Sequence, residues 1–271
     1  EVDGITFTGS FDVGMKIYRD FANGRWVRPT ILELGGKNPA IVTRHADLEA
    51  AALGILRSAF GLQGQKCSAC SRILIEEPVY DALTARLVEL TQRLTIGDPT
   101  ERSVYMGPVV NKNAYRDYQT FCAELGKAGR ILTGAKVLQD APLDKGYFVT
   151  PTLVADLPYD HALWQQEMFL PISTIGKISS LEEGLRIANS VAYGLTAGVY
   201  GNDEEVARFF DEIQAGVTYA NRPQGATTGA WPGFQPFGGW KGSGSSGKNA
   251  GGLHYLQLYM HEQIRTHVRK A

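Results

Sequence analysis

Short apolar runs alternate with longer amphipathic runs along most of this sequence, and no other feature restricts its fold as tightly. ITFT (5–8), ILEL (31–34), PAIVT (39–43), RILIE (72–76), RILTG (130–134), PISTIGKI (171–178), TAGVYG (196–201) and AGVTYAN (215–221) have the length and residue types of strands. Helical patterns lie between them, over 9–22, from an Asp47 cap through Phe60, and over 77–94, 111–128, 181–189 and 203–213. Pro78 falls in the first turn of its helix, where a missing N–H costs little. Parallel strands need long crossovers, usually helices, so this order predicts an α/β fold with a mostly parallel sheet. The 271 residues suffice for one large domain or two modest ones. An opening strand and helix with no strand before them suggest a C-terminal piece of something larger.

Charge and cysteine content exclude several function classes. A formal net charge of -1 leaves no basic field for a nucleic-acid backbone. No apolar run approaches the roughly 20 residues that cross a bilayer, and EVDGITFTGS lacks the layout of a secretory signal. Cys67, Cys70 and Cys122 are too few for a disulfide framework and suit a reducing cytoplasm.

The stretch GLQGQKCSAC (61–70) carries a CxxC pair. Zinc would want about four ligands, and the five histidines show no ligand spacing. A redox pair would follow a strand and open a helix, whereas here a helix precedes and a strand follows. Two readings stay open for Cys67: a small buried residue, or a nucleophile exposed on the loop after a long helix. A free thiol titrates near 8.5 and needs a base at neutral pH. Glu33, at the end of ILEL and before Gly35 and Gly36, is a candidate, with a solvated strand end as the plainer alternative.

LELGGKNPAIV (32–42) together with GQKCSACSRI (64–73) resembles the aldehyde dehydrogenase superfamily. FTGSFDVG (7–14), QQEMFLPI (165–172) and QPFGGWKGSG (235–244) extend the likeness, in the family's order, over nearly the whole chain. The resemblance implies a three-layer catalytic domain at 35–235, a remnant of a Rossmann-like cofactor domain at 1–34 and an assembly segment at 236–271. It also implies that Cys67 attacks an aldehyde carbon, with its own N–H as one oxyanion donor, and that Glu33 activates the water that hydrolyses the thioester. The implied cofactor is NAD, with NADP left open. Gly9 and Ser10 would lie near its pyrophosphate, and Leu34, Gly35, Glu167 and Phe169 near the nicotinamide end. A homo-oligomer is implied, with YLQLYMHEQIRTHV (255–268) as a strand-like segment able to extend a partner's sheet.

GQKCSACSR and the QPFGGWKGSG region look most like the branch of the family that oxidises glutamate semialdehyde to glutamate. That substrate needs a carboxylate grip, and the expected groups are the Ser68 hydroxyl and the amides of Gly225 and Ala226, with Phe237 as a channel wall. Leu170 stands where the family carries glycine, and GATTGAWPGFQPFGG has extra residues including Trp231 and Pro232. GSGSSGKN (242–249) approaches a P-loop but ends in Asn249 and follows no strand, so Lys241 and Lys248 are expected as solvated or subunit-contact charges. Family members are about twice this length, and the resemblance assigns the adenosine site and a second oxyanion donor to the half not seen here. The chain alone is therefore expected to be a poor enzyme, and a non-catalytic module of the same fold is the alternative.

Overall fold

A computed structural model describes residues 2–230 and 233–269. Trp231 and Pro232, the extra residues noted above, lie outside the described residues. The first unit is small: β1 (Ile5–Thr8), α1 (Phe11–Ala22) and β2 (Thr30–Glu33), with β1 and β2 paired in parallel from Ile5↔Thr30 to Thr8↔Glu33. The larger unit follows as β3 (Asn38–Val42), α2 (Leu48–Phe60), β4 (Cys70–Glu76), α3 (Glu77–Gln92), α4 (Lys112–Ala128), β5 (Arg130–Thr133) and β6 (Thr152–Ala155). It continues with α5 (Ala162–Gln165), β7 (Ile172–Ile178), α6 (Leu181–Asn189), β8 (Tyr193–Gly194), β9 (Thr196–Tyr200), α7 (Asp203–Glu212), β10 (Val217–Ala220) and β11 (Trp240–Lys241).

The large sheet has the order β10-β9-β3-β4-β7-β6-β5. All its pairings are parallel except β5 with β6 at one edge. Its central strands are apolar on both faces because helices cover both, the expected state of a parallel sheet. Ala40 and Val42 of β3 and Ile73 and Ile75 of β4 pack with Ile55 of α2 and Leu83 and Leu87 of α3. The alternate residues Ile41 and Leu74 pack with Tyr118 and Leu125 of α4, Leu185 of α6 and Phe209 of α7. Three layers result. Asp47 caps α2 by accepting from the N–H groups of Glu49 and Ala50, which closes two of the donors a helix start leaves open.

The glycine-dense segment 238–252 is moulded on its neighbours. Within it Trp240–Lys241 pairs antiparallel with β8. The Leu34 N–H donates to Ser243 O at 2.9 Å, the Ser245 N–H to Leu32 O at 3.1 Å, and the Gly194 N–H to the buried Ser243 Oγ at 3.0 Å. The segment thereby ties the end of β2 to β8. Lys241 is not a free solvated charge: its Nζ donates to Asn189 O at 2.7 Å and Val191 O at 3.3 Å, beyond the last turn of α6. That placement suits a cation, since a helix C-terminus is negative. In the C-terminal segment Leu256–Tyr259 forms a single 3-10 turn, and 260–269 has no regular structure. The strand-like spacing finds no partner strand among the described residues, and Leu253, Ile264 and Val268 stay exposed. No described helix is long and apolar enough to cross a membrane.

Arg72 of β4 locks the layers to one another. It is buried, yet no carboxylate faces it among the described residues; it donates to Lys37 O at 2.9 Å, Ile187 O at 3.1 Å and Ala188 O at 2.9 Å. Burial holds the guanidinium down at about 9. Three peptide carbonyls, two of them in the last turn of α6, replace the solvation that burial removes. Arg72→Leu removes one hydrogen bond from each carbonyl, leaving Ile187 O with the Ser190 N–H and hydroxyl as its donors. The expected loss is about 3 kcal/mol, from roughly 1 kcal/mol per unmade hydrogen bond, read as a lowered urea midpoint at unchanged slope.

Candidate active site

The C-terminal ends of β1 and β2 face the loops that lead into β4 and β7, and a cavity of about 940 Å³ lies between them. One wall is Thr8, Gly9, Ser10, Leu34 and Gly35. The other is Leu62, Gln65, Lys66, Cys67 and Ser68, with Glu167 and Phe169 beside them and Thr228 to Ala230 and Phe237 closing the end. Backbone geometry is unusual on this rim: Leu62, Gln63 and Phe169 have φ of 52°, 57° and 53°. Left-handed conformation costs a non-glycine residue about 1–2 kcal/mol, so the loop before Cys67 holds strain. Gln63 Nε2 donating to Pro108 O at 3.0 Å, and Gln65 Oε1 accepting the Val110 N–H at 2.9 Å, keep it in place.

Cys67 is half-buried and lines the cavity, whereas Cys70 is buried at the start of β4. The plain reading of a buried structural thiol therefore fits Cys70, whose pKa burial pushes up to about 12. Burial also raises the Cys67 thiol, and the charges of Glu167 and Glu33 raise it further. Hydrogen bonds from the Ser68 N–H and from its own N–H act the other way by favouring the thiolate. Lys66, the residue before it, lines the same cavity with no carboxylate partner among the described residues, and burial lowers its ammonium pKa.

Glu33 ends β2, and its backbone carbonyl accepts the Gly9 N–H at 3.1 Å. Its side chain is not among the residues that line the cavity. Its charge still acts on the Cys67 sulfur and also on Tyr255 of the C-terminal segment. Burial pushes the Glu33 carboxyl from 4.5 up to about 7, and Oε2 is buried without a protein partner. A carboxyl titrating near neutrality is suited to accept a proton in catalysis.

The nicotinamide end of a dinucleotide fits the groups present. Glu167 Oε1 accepts the Gly36 N–H at 2.9 Å, and a Cβ on Gly35 would collide with the same carboxylate, so the glycine leaves that carboxylate its place. Thr8, Gly9 and Ser10 lead into the 12-residue α1, and Ser10, its N-cap, makes no side-chain capping bond. Leu170 takes no left-handed φ among the described residues and is buried, so the position does not require glycine here.

The residues expected to grip a carboxylate divide. Ser68 and Phe237 line the cavity; Gly225 and Ala226 do not. The Gly225 N–H donates to Arg222 O at 3.3 Å and the Ala226 N–H to Gly54 O at 3.0 Å, so both amides are already engaged. Gly229 and Ala230, four residues on, reach the cavity, with Gly229 at a φ of +114°. The sequence GATTGA holds the Gly-Ala pair twice, and nothing in its pattern separates the copies. Lys66 and Gln65 were also missed, although their adjacency to Cys67 was a usable signal.

Residues 1–264 match the model of the aldehyde dehydrogenase family. The chain belongs to that family. It is 44% identical over 262 residues to the 1-pyrroline-5-carboxylate dehydrogenase of Geobacillus kaustophilus, an alignment covering 94% of this chain and 49% of that protein. Among solved structures, the family's 1-pyrroline-5-carboxylate dehydrogenase from Thermus with bound NAD superposes with a TM-score of 0.88 at 36% identity, over 95% of this chain and 49% of that one. The family's betaine aldehyde dehydrogenase from Staphylococcus aureus in complex with NAD+ reaches 0.89 at 28% identity, over 95% and 50%. The chain spans about half the length of the curated relatives it matches.

Between pH 4.5 and about 7 the folded chain keeps a Glu33 proton that the unfolded chain has released, so stability falls as pH rises through that window. Glu33→Gln removes this loss. The variant is expected to match the parent below pH 4.5 and to exceed it at pH 8 by about 1–2 kcal/mol, a gain discounted for partial exposure, in paired urea titrations.

Proposed function

We propose that this chain carries the thiol chemistry of an aldehyde oxidation, with Cys67 as nucleophile and a carboxylated aldehyde, glutamate semialdehyde, as substrate. The observation that carries the reading is Cys67 in the wall of one cavity, opposite Gly9, Ser10 and Gly35 and next to Glu167. The 1-pyrroline-5-carboxylate dehydrogenase relatives support the substrate class. The Cys67 sulfur forms a bond to the aldehyde carbon, and the carbonyl oxygen takes up the electron pair beside the Cys67 N–H. The thiol proton needs an acceptor because burial raises its pKa, and Glu33, about 7, supplies one through a water. A nicotinamide ring held beside Leu34, Gly35 and Phe169 would supply the hydride acceptor for oxidation of the Cys67 adduct to a thioester. Once Glu33 has passed the thiol proton to solvent, it takes a proton from the water that attacks the Cys67 thioester; the acid leaves, and that proton returns to the Cys67 thiolate.

Gly9 and Ser10 would lie against the phosphate side of the cofactor; the Gly9 N–H is taken by Glu33 O, so the unpaired N–H groups are those of the first turn of α1 after Ser10. Glu167 would hold the ribose, and Leu34, Gly35 and Phe169 the ring. NAD is the proposed cofactor, in line with the NAD bound to the Thermus relative, with NADP open. The substrate carboxylate would meet the Lys66 ammonium, the Ser68 hydroxyl and the amides of Gly229 and Ala230, with Phe237 as the outer wall. We also propose assembly as a homo-oligomer through the exposed apolar residues of 253–268.

A reversible thiohemiacetal shields the sulfur, so aldehydes should slow alkylation of Cys67 by iodoacetamide even without cofactor. Glutamate semialdehyde is expected to protect at about tenfold lower concentration than pentanal, equivalent to ~1.4 kcal/mol for one charged contact. Lys66→Met should erase most of that preference. Equal protection by the two aldehydes removes the carboxylate grip, and no protection by either removes the nucleophile.

A further inference from the structure

Asn38, the first residue of β3, is buried and takes no part in the chemistry above. Its Nδ2 donates to Cys67 O at 2.8 Å and to Ala69 O at 2.8 Å, and its Oδ1 accepts the Thr196 N–H at 3.0 Å. Two carbonyls on one side and one N–H on the other fix which end of the amide is nitrogen. Each of its bonds is made to backbone, so the side chain acts as a rigid bracket between β9 and the loop that carries the thiol. Residue pairing is irregular at this point: Asn38 lies opposite Cys70, and the register shifts before Pro39 pairs with Arg72. The shift is where the bracket enters. Gly36 must be glycine for the same reason, because a Cβ there would lie 2.6 Å from Cys67 O and 2.7 Å from Asn38 Oδ1.

Cys67 O and the Ser68 N–H are the two ends of one peptide unit. In a planar trans peptide they point in opposite directions, so fixing the carbonyl fixes the N–H. Asn38 holds the carbonyl end of this unit at 2.8 Å, and the Ser68 N–H at its other end acts on the Cys67 sulfur as a hydrogen-bond donor. We propose that Asn38 is a positioning residue for Cys67, holding the Cys67–Ser68 peptide so that its N–H hydrogen-bonds the thiolate. The Ser68 N–H is one of two backbone donors that lower the thiol pKa against burial, which agrees with this geometry. The charged groups that face the sulfur are Glu167, Glu33 and Lys66, and none of them touches Asn38 by hydrogen bond or ion pair among the described residues.

The inference takes Cys67 to be the reactive thiol, as proposed above, but its test reads the thiol itself and needs neither aldehyde nor cofactor. The rate of Cys67 alkylation by iodoacetamide is measured against pH. Asn38→Ala is expected to raise the midpoint by about one unit, hence to slow alkylation about tenfold at pH below both midpoints. The comparison variant is Thr227→Val. The Thr227 hydroxyl donates to Ser68 O at 2.7 Å, so it tethers the same loop through the next peptide unit. Its loss should loosen the loop and leave the midpoint within a few tenths of a unit. An unchanged midpoint in Asn38→Ala, or an equal shift in both variants, overturns the proposal. If Asn38→Ala does not fold, the unaltered chain decides: the Ser68 amide proton must follow Cys67 ionisation in a pH series of nitrogen–proton spectra, and a Ser68 amide that does not respond overturns it.

Discussion

Gly35 to Asn38 cross from the small sheet to the large one, and their backbone has almost no slack. A Cβ on Gly35 would strike the Glu167 carboxylate and one on Gly36 would strike Cys67 O. The Lys37 carbonyl is held by the Arg72 guanidinium, and Lys37 Nζ, itself buried, donates to Leu163 O at 2.8 Å in the helix that leads to Glu167. Within four residues the crossing sets the Glu167 carboxylate at the cavity, the peptide that carries the Cys67 thiol and the end of β2. Close packing transmits displacement over such short distances, so these groups move together or not at all.

Desolvation is the common electrostatic cause in the site. It raises Glu33, Glu167 and Cys67 and lowers Lys37 and Lys66. Each shift moves a group toward its neutral form, as expected where burial outweighs pairing. Two acids and a thiol that all resist ionisation can lie near one another with little mutual repulsion. The cation of Lys66 stays unmatched by any described carboxylate, which makes the cleft receptive to an anionic ligand.

Most of the fold was legible because hydrophobic period and helix punctuation agreed. Asp47, Pro78 and the runs in α6 and α7 fell where the pattern put them. β6 was missed because TLVA is four residues long with every position buried, so neither alternation nor length marks it. The short strands β8 and β11 carry no pattern at all, since they exist only through their mutual pairing. Of the residues that motif context singled out, Cys67 and Glu167 line the cavity and Glu33 does not. Asn38, Arg72 and the choice between the two Gly-Ala pairs were not legible in the sequence. Their roles depend on which carbonyls and amides the fold brings within 3 Å, and that information is not local in sequence.

The cavity with Cys67 and Glu167 lies at the rim where β4 and β7 begin, so the rim where they finish, at Glu76 and Ile178, lies at the opposite edge of the sheet. Turns there face away from the thiol by the full length of a strand. Insertions, affinity tags or surface tethers placed at that distant border would alter adhesion or handling and leave the reactive end untouched.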